Sequence, residues 1–298
     1  ISRDLFLMDM DPIRSFCDSI ELIRSCRRTS GFLTSWSPRT FPMGARSVFT
    51  CRQTRKCVEM SDSSSQEELK RSEAKWVLGY WAIRGLGQPI RLVLEAGGFD
   101  YDEKRYVQGP APEFDKSTWL NEKEDLGFDF PNLPYLIDRS GSSELRLTQT
   151  RVILEHLASK VSLTGTTQVE RLRIGQVWEA SMDMRRPYNV ACYSPNFEDI
   201  RVDLVEKTLP SHLRRFSQYL GEEQWFGKGA APSWVDFVMF DLLDQFLSLD
   251  SRLVNGYKNL ADFHARVGGL PSILNYRERE SFIDRPFHNR RAKFGGLS

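Results

Sequence analysis

A tyrosine near the end of a predicted strand is the first residue in this sequence with the chemistry of a site. The run Lys75–Trp81 has the composition of a short β-strand, and Tyr80 lies at its end, before the glycine-containing segment 84–89. A phenol at the mouth of a sheet can donate its O–H to an anion. The alternative is a buried tyrosine bonded to the backbone, which is the commoner situation in a random domain.

A second candidate is the pair Gln149-Thr150, in the first turn of a helix predicted at 148–160. The first N–H groups of a helix have no partner within it, and the positive end of the helix dipole favours a carboxylate there. A side-chain amide and a hydroxyl would add donors. Taken by itself, the pair is better explained as a simple N-cap.

Pro134 stands near the start of the predicted strand 132–138, where a proline removes a ladder hydrogen bond. A cis bond between Leu133 and Pro134 would explain it, because the backbone would then turn so that Leu133 presents its N–H and C=O to a ligand. Most X-Pro bonds are trans, so this motif is weak alone.

Trp119 and Lys123 are four residues apart and share one face of a short helix predicted within 117–123. An indole N–H and an ammonium group in this arrangement can hold a second carboxylate. A packed tryptophan beside a solvated lysine is an equally good interpretation.

Residues 76–160 have the periodicity of a small α/β domain, in the order β-α-β and then β-β-α. Its predicted strands are 75–81, 101–107, 132–138 and 145–147, and its predicted helices are 89–97 and 148–160. After a linker at 161–166, residues 167–298 have helical signals only. The predicted helices are 168–191, 199–220, 233–250 and 259–277. Ser233 and Asp236 form a capping box at the start of the third.

The composition excludes several classes of protein. The 298 residues include 41 Lys and Arg against 40 Asp and Glu, a formal net charge of +1. This balance argues against nucleic-acid binding or a polybasic membrane surface as the main function. No run approaches the roughly 20 apolar residues of a membrane helix. Of the five cysteines, only Cys192 follows residue 57, which indicates a reducing, cytoplasmic compartment.

Residues 1–75 differ from the rest, and we expect a disordered or non-native extension there. The stretch 61–73 is polar, and 22–58 is basic and lacks acidic residues. A mitochondrial targeting peptide is the alternative, but residues 1–21 contain five acidic residues, which such peptides avoid. The four cysteines of this segment match no compact zinc spacing, so we predict no metal.

Taken together, these motifs resemble the cytosolic glutathione transferases, and within them the mu class. The resemblance is carried by LGYWAIRGLGQPIRLVLE (78–95), GPAPEFDKSTWLNEKEDLGFDFPNLPYLID (109–138), LTQT (147–150), CYSPNFE (192–198) and WVDF (234–237). It runs from about Trp76 to the C-terminus and leaves 1–75 uncovered. It implies a thioredoxin-like βαβ-ββα domain followed by an all-α domain.

The resemblance also implies a role for individual residues. Tyr80 would be catalytic, its hydroxyl donating to the glutathione sulfur. The positions that would contact glutathione are Trp81, Leu86, Lys116, Trp119, Lys123, Asn132, Leu133, Pro134, Gln149 and Thr150, with Asp183 reaching it from the partner subunit. Tyr193 and Leu86 would line the electrophile pocket. Phe130 would insert into a second copy, so a homodimer is implied.

The implied function is conjugation of the glutathione thiolate to small hydrophobic electrophiles, a detoxification reaction that needs no metal. A non-catalytic ligand carrier and a glutathione-dependent isomerase are the alternatives on the same fold. The sequence departs from the family at Lys116, where arginine is frequent, and at Thr150, where serine is usual. Arg185, Arg186 and Pro187 are also unusual: the proline would kink its helix, and the arginines would crowd or charge the electrophile pocket.

Overall fold

The structure is a computed structural model that describes residues 74–297. The predictions for residues 1–73, including the targeting alternative and the four cysteines, lie outside the described residues.

A four-stranded mixed sheet forms the first part of the described chain. Its strands are β1 (Trp76–Trp81), β2 (Tyr101–Tyr106), β3 (Tyr135–Asp138) and β4 (Leu145–Thr148), in the spatial order β2-β1-β3-β4. The pair β1 and β2 is parallel, with helix α1 (Gln88–Ala96) as the crossover, whereas β3 is antiparallel to both β1 and β4. This is the predicted β-α-β and β-β-α order.

Burial explains why these segments form the centre of the domain. Five of the six residues of β1 are buried, and so are all four of β3. Pro89 is the second residue of helix α1, and it suits this first turn because its missing N–H would have no partner there. Helix α1 packs with helix α3 (Thr150–Lys160) and with the helical part of the chain in one continuous core.

The register brings three chain segments to one end of the sheet. Gly79 in β1 is opposite Tyr135 in β3, and Tyr135 is opposite Thr148 in β4. Because of these pairings, Tyr80, the residues just before β3 and the residues just after β4 meet at the same edge. That edge contains most of the predicted site.

The remainder of the described chain is helical. Its helices are α4 (Gln168–Tyr193), α5 (Phe197–Asp203), α6 (Leu209–Leu220), α7 (Trp234–Leu249), α8 (Arg252–Asn255), α9 (Lys258–Gly268) and α10 (Pro271–Arg277), with a π-helical turn at Leu204–Thr208 between α5 and α6. Most of α7 is buried. The predicted capping box is confirmed, since Ser233 and Asp236 bond reciprocally at its first turn.

Two helix predictions need correction, and one short helix was missed. The segment 259–277 is two helices rather than one, because Pro271 starts a new helix where a continuous one would need its N–H. The helix predicted at 199–220 begins at Phe197 and is divided by the π-helical turn. The short helix α8 was not predicted. Helix α4 continues through Pro187 to Tyr193.

Within residues 74–297, no helix combines the length and apolar character needed to cross a membrane. The same residues contain no group of three or more His, Cys, Asp or Glu side chains placed to hold a metal ion.

Candidate active site

Tyr80 lies buried at the end of β1, and a backbone group holds its hydroxyl in place. The N–H of Leu86, in the loop between β1 and α1, donates a hydrogen bond of 2.9 Å to the phenol oxygen. This bond uses the oxygen as an acceptor and leaves the O–H proton available for donation. Tyr80 is therefore buried and bonded to the backbone, and its O–H can still donate to an anion.

The electrostatics of the site keep the phenol protonated. Burial raises the pKa of Tyr80, because it disfavours the charged phenolate, while the Leu86 N–H and the positive charges of Arg185 and Arg91 act in the opposite direction. The net change in pKa is upward. At neutral pH the side chain is therefore a neutral hydrogen-bond donor.

The loop that holds Tyr80 requires glycine at position 85. Gly85 has a φ of +44°, a conformation that side-chain-bearing residues rarely adopt. A Cβ at this position would lie 2.6 Å from the Tyr80 hydroxyl oxygen. Glycine therefore permits the close approach of the loop to the phenol.

The segment before β3 reaches the same end of the sheet. The Leu133–Pro134 bond is cis, as predicted. Asn132 is exposed, and its Oδ1 accepts the N–H of Leu133 at 2.8 Å. The backbone N–H of Leu133, which the sequence assigned to a ligand, therefore bonds to Asn132 in this structure.

The start of α3 follows β4 at this edge. Gln149 is the N-cap residue, with a φ of +72°, and neither its side chain nor an acidic residue in the first turn caps the helix. Thr150 is buried at the first helical position, whereas Gln149 is exposed. The N-terminal N–H groups and the positive end of the helix dipole are consequently available to a carboxylate.

The Trp119 region lies over the same part of the sheet. Its indole packs edge-on against Tyr106, with ring centroids 5.3 Å apart, and is stacked at 6.2 Å on Tyr135. Helix α2 (Ser117–Leu120) is shorter than predicted, but the N–H of Lys123 still bonds to the carbonyl of Trp119 through the following turn. Lys123 is half-buried and pairs with Glu124 at 3.0 Å.

Two other residues that are predicted to contact glutathione lie nearby. Trp81 is half-buried beside Tyr106, with ring centroids 6.3 Å apart. Lys116 is exposed at the N-cap of α2.

Tyr193, at the end of α4, comes to the site through the C-terminal segment. The N–H of Asn289 donates 3.0 Å to its hydroxyl oxygen. The same segment bonds to the Tyr80 loop, since the N–H groups of Arg84 and Gly85 donate to the carbonyls of Pro286 and Phe287. Burial raises the pKa of Tyr193, and the Tyr80 phenol adds to that rise.

Two of the predicted residues, Phe130 and Asp183, are expected to contact a second copy, and both lie on the surface of this one. Phe130 is 75 % exposed, and Asp183 is exposed on α4. Asp183 lines a separate cavity of about 290 Å³ between α4 and α6, together with apolar residues such as Val177 and Phe216 and the polar or charged residues Gln176, His212 and Arg215.

The structure also shows charged residues that sequence reasoning did not assign to the site. Arg84 is buried and donates to Asp241 of α7 at 2.8 Å and to Asp244 at 2.7 Å. Arg185, flagged from the sequence only as unusual, is buried and donates 2.8 Å to the carbonyl of Gly85. The sequence signal for Asp241 was its position among the apolar residues of α7.

Comparisons with known proteins now identify the family. A family model described as glutathione S-transferase, N-terminal domain, matches residues 76–159, and one described as glutathione S-transferase, C-terminal domain, matches 182–280. The glutathione S-transferase Mu 1 of Mus musculus is 43 % identical over 216 residues, which cover 72 % of this chain and 96 % of that protein. The chain belongs to the glutathione S-transferase family.

Further relatives agree with this assignment. The glutathione S-transferase B of Cavia porcellus is 43 % identical over 213 residues, covering 72 % of this chain and 95 % of that protein. Among solved structures, the glutathione S-transferase Blo t 8 superposes with a TM-score of 0.65 at 27 % identity, covering 74 % of this chain and 99 % of that one. The glutathione transferase fold and the likeness to the mu class, both expected from the sequence, are confirmed.

Proposed function

We propose that this glutathione transferase conjugates the thiolate of glutathione to small hydrophobic electrophiles, with Tyr80 as the catalytic residue. The observation that carries the proposal is the hydrogen bond from the Leu86 N–H to the Tyr80 oxygen. This bond holds the phenol at the sheet edge and leaves its O–H free to donate to a thiolate. The mu-class relatives support glutathione as the co-substrate.

The chemistry follows from the acidity of thiols. A free thiol has a pKa of about 8.5 and is mostly protonated at neutral pH, whereas the thiolate is the nucleophile. When the Tyr80 O–H donates to the sulfur, it stabilises the anion and lowers the pKa of the thiol, whose proton passes to solvent. The sulfur then bonds to an electrophilic carbon, and the displaced group leaves with the bonding electrons.

The sheet edge suits the backbone and the amino end of glutathione. We assign the cysteinyl backbone to Leu133, where Asn132 would exchange its bond to the Leu133 N–H for the ligand. The γ-glutamyl carboxylate would bind at the uncapped start of α3, with donors from Gln149 and Thr150. The exposure of the Gln149 amide supports this assignment.

The glycyl carboxylate would bind on the other side of the sulfur. Lys116 and Lys123 supply positive charge there, and Trp119 supplies an indole N–H, which is a donor only. Because Trp119 is packed against two tyrosines, its orientation is fixed before the ligand arrives. Trp81, Leu86 and Pro134 would complete the pocket through their apolar surfaces.

The electrophile would lie between Tyr193 and Leu86, on the side of the C-terminal segment. Tyr193 is 39 % exposed, and its hydroxyl oxygen already accepts the Asn289 N–H. Its proton is free to be donated to an oxygen that becomes negative when an epoxide opens or an enone is attacked.

We also propose a homodimer in which Phe130 enters the cavity between α4 and α6 of a second copy. Exposure of a phenyl ring to 75 % is unfavourable in water, and the cavity of about 290 Å³ is lined largely by apolar surface. Engineered cavities of about 150 Å³ already bind benzene. Asp183 lies at this cavity, so docking would place it at the interface, from where it would reach the partner's glutathione amine.

The experiment that tests the catalytic proposal is a titration of the bound thiol. The absorbance of the thiolate is followed against pH for the wild-type protein and for Tyr80→Phe, each saturated with glutathione. We expect the wild-type midpoint to lie about one to two pH units below that of free glutathione and the variant midpoint to return toward it. Tyr257→Phe, which removes a hydroxyl bonded to the Pro210 carbonyl on the helical side, is the matched control.

Turnover of a chlorinated nitroarene completes the test. If both proteins titrate like free glutathione and neither forms a conjugate, the protein is a ligand carrier and the proposal is wrong. If the thiolate forms but the product is an isomer of the substrate without a new carbon–sulfur bond, the reaction is an isomerisation instead.

A further inference from the structure

The C-terminal segment that bonds to Tyr193 is strongly basic. Residues 285–298 contain three arginines and one lysine and no Asp or Glu, whereas the formal net charge of the whole chain is only +1. Within residues 74–297, three of these cations, Arg290, Arg291 and Lys293, form no ion pair. We call these three residues the basic rim.

Backbone hydrogen bonds place the basic rim at the entrance to the proposed electrophile pocket. The N–H of Arg290 donates to Oε1 of Gln108, just after β2, at 3.1 Å. The N–H of Lys293 donates to the carbonyl of Cys192, the residue before Tyr193, at 2.7 Å. The basic rim therefore runs from the loop that follows β2 to the end of α4, where Tyr193 lies.

The side chains of the basic rim remain open to water. Arg291 and Lys293 are exposed, and Arg290 is half-buried. The guanidinium carbon of Arg291 lies 5.8 Å from the ring centroid of Phe114, in the loop 107–116 that joins β2 to α2. An aromatic ring at this distance attracts a cation without neutralising its charge. The charge of Arg291 is thus held beside the loop and stays available to an anion.

Acidic residues of that loop do not cancel the charge. The loop 107–116 contains Glu113, Asp115 and Lys116. With the four cations of residues 285–298, this gives the two segments together a formal net charge of +3. One oxygen of the Asp115 carboxylate already accepts the N–H of Ser117 at 2.9 Å. The entrance is therefore positive in a chain that is nearly neutral.

The wall beside the basic rim is aromatic and neutral. The ring of His288 is buried and lies 5.5 Å from that of Tyr193, centroid to centroid. Burial, and then the charge of Arg185, lower the pKa of His288 to about 3, so the imidazole is uncharged at physiological pH. Burial raises the pKa of Tyr193, so its phenol is uncharged as well. This wall suits the apolar part of an electrophile rather than a charged part.

A neutral wall and a positive entrance suit a molecule with one apolar end and one anionic end. A carboxylate enclosed by aromatic surface would lose its hydration, which is unfavourable. At the exposed entrance it keeps most of its water and gains the attraction of the cations. Resting on the proposed function, we propose that the basic rim selects hydrophobic electrophiles that carry a carboxylate at the end remote from the reacting carbon. Arg290 and Arg291 are the specificity-determining residues.

Glutathione itself carries two carboxylates, which compete with the electrophile as the anion that the basic rim attracts. We assign the glycyl carboxylate to Lys116, Trp119 and Lys123, and the γ-glutamyl carboxylate to the start of α3. Neither assignment uses the basic rim. The KM for glutathione therefore separates the two sources of carboxylate, because it should not depend on Arg290 or Arg291.

The test compares two electrophiles that differ by one charge. The first is a chlorodinitrobenzoate with its carboxylate opposite the chlorine-bearing carbon, and the second is the corresponding benzamide, which is neutral. In both, the glutathione sulfur displaces chloride. The charge preference of each protein is kcat/KM for the benzoate divided by kcat/KM for the benzamide. Comparing this ratio between variants cancels the intrinsic reactivity of the two compounds.

We expect Arg290→Gln/Arg291→Gln to lower the charge preference about five- to tenfold at low ionic strength, chiefly through the KM for the benzoate. Arg290→Lys/Arg291→Lys, which keeps both charges, should retain the wild-type preference within about twofold. In about 0.5 M salt the wild-type preference should fall toward that of the glutamine variant, because the charges are then screened within a few ångströms.

Arg285→Gln is the matched control. Arg285 is exposed in the same segment, but its guanidinium donates to the hydroxyl of Ser248 on α7 and lies 4.5 Å from the ring centroid of Phe287. Its removal lowers the net charge of the segment without touching the basic rim, so the charge preference should stay within about twofold of wild type.

The proposal is overturned if the charge preference of the glutamine variant equals that of wild type, whether or not both activities fall, because the segment would then only hold Tyr193 in place. It is also overturned if Arg285→Gln lowers the preference as much, or if the wild-type preference does not depend on salt. A raised KM for glutathione with an unchanged charge preference would assign the basic rim to glutathione instead. A wild-type protein that forms a conjugate with neither compound would reject the proposed function itself.

Discussion

Tyr80 and Tyr193 are bound in the same way: the hydroxyl oxygen of each accepts a backbone N–H, from Leu86 at 2.9 Å and from Asn289 at 3.0 Å. The two donors belong to segments that are bonded to each other, because the Gly85 N–H donates to the Phe287 carbonyl. One contact between the loop and the C-terminal segment thus positions both phenols, and it leaves both protons free for the reaction.

The pH profile should show only the ionisation of the thiol. Burial raises the pKa of Tyr80 above its ordinary value of 10, so the phenol stays protonated throughout the range below that value. We expect kcat/KM for a non-ionising electrophile to rise as the thiol ionises and then to stay level up to about pH 10. A decline centred near neutral pH that Tyr80→Phe abolishes would contradict this assignment.

Tyr193→Phe should distinguish classes of electrophile. Opening an epoxide or adding to an enone produces an oxyanion that the Tyr193 proton can neutralise, whereas displacement of chloride from a nitroarene needs no proton. We expect kcat to fall about 10- to 100-fold for the first class and to change little for the second. Steady-state rates with one electrophile of each class check this, and equal losses would exclude an acid role.

Thr150→Val should weaken glutathione binding selectively. Valine keeps the shape of threonine but removes a hydroxyl at the start of α3, where we place a carboxylate. Hydrogen bonds to charged groups contribute about 1.5–3 kcal/mol, so the KM for glutathione should rise about 10- to 100-fold. The KM for the electrophile should not change. Thr164→Val, in the linker segment, is the control, and an unchanged glutathione KM in Thr150→Val would contradict the placement.

The local part of this site was predictable from the sequence. Tyr80 at a strand end, the cis bond before Pro134 and the capping box of Ser233 and Asp236 each depend on residues close together in the chain. Such features follow from backbone geometry and short-range hydrogen bonds, which the sequence pattern reports directly.

The long-range part was not predictable. The bond from Arg185 to Gly85 joins residues 100 apart, and the bond from Asn289 to Tyr193 joins residues 96 apart. Periodicity places Arg185 on a helix but does not say which loop that helix covers. The division of the segment 259–277, by contrast, was signalled by Pro271 and was missed.

Asp236→Ala should destabilise the helical part without changing the thiol chemistry. Its carboxylate is fully buried and accepts the N–H of Ser233, the hydroxyl of Ser233 and the N–H of Phe226, each at 2.7–2.8 Å. Alanine would leave these donors unpaired and remove a helix cap, so the free energy of unfolding should fall by about 3 kcal/mol or more.

Urea unfolding measures this loss, with Asp199→Ala, an exposed acidic residue in the first turn of α5, as the control. The thiolate midpoint of the folded Asp236→Ala protein should equal that of wild type. An unfolding free energy within about 0.5 kcal/mol of wild type would contradict the structural role.

Phe130→Ala should dissociate the proposed homodimer. The variant removes the 75 % exposed ring, and Ala180→Phe fills the cavity of about 290 Å³ that we assign to the ring of the second copy, so both should sediment as monomers. Leu274→Ala, at an exposed apolar residue on α10, should stay dimeric. Because each variant keeps the side of the contact that the other has lost, a mixture of the two can form one of the two contacts, and we expect a heterodimer weaker than the wild-type dimer. Dimers in both variants would mean that the subunits associate through another surface.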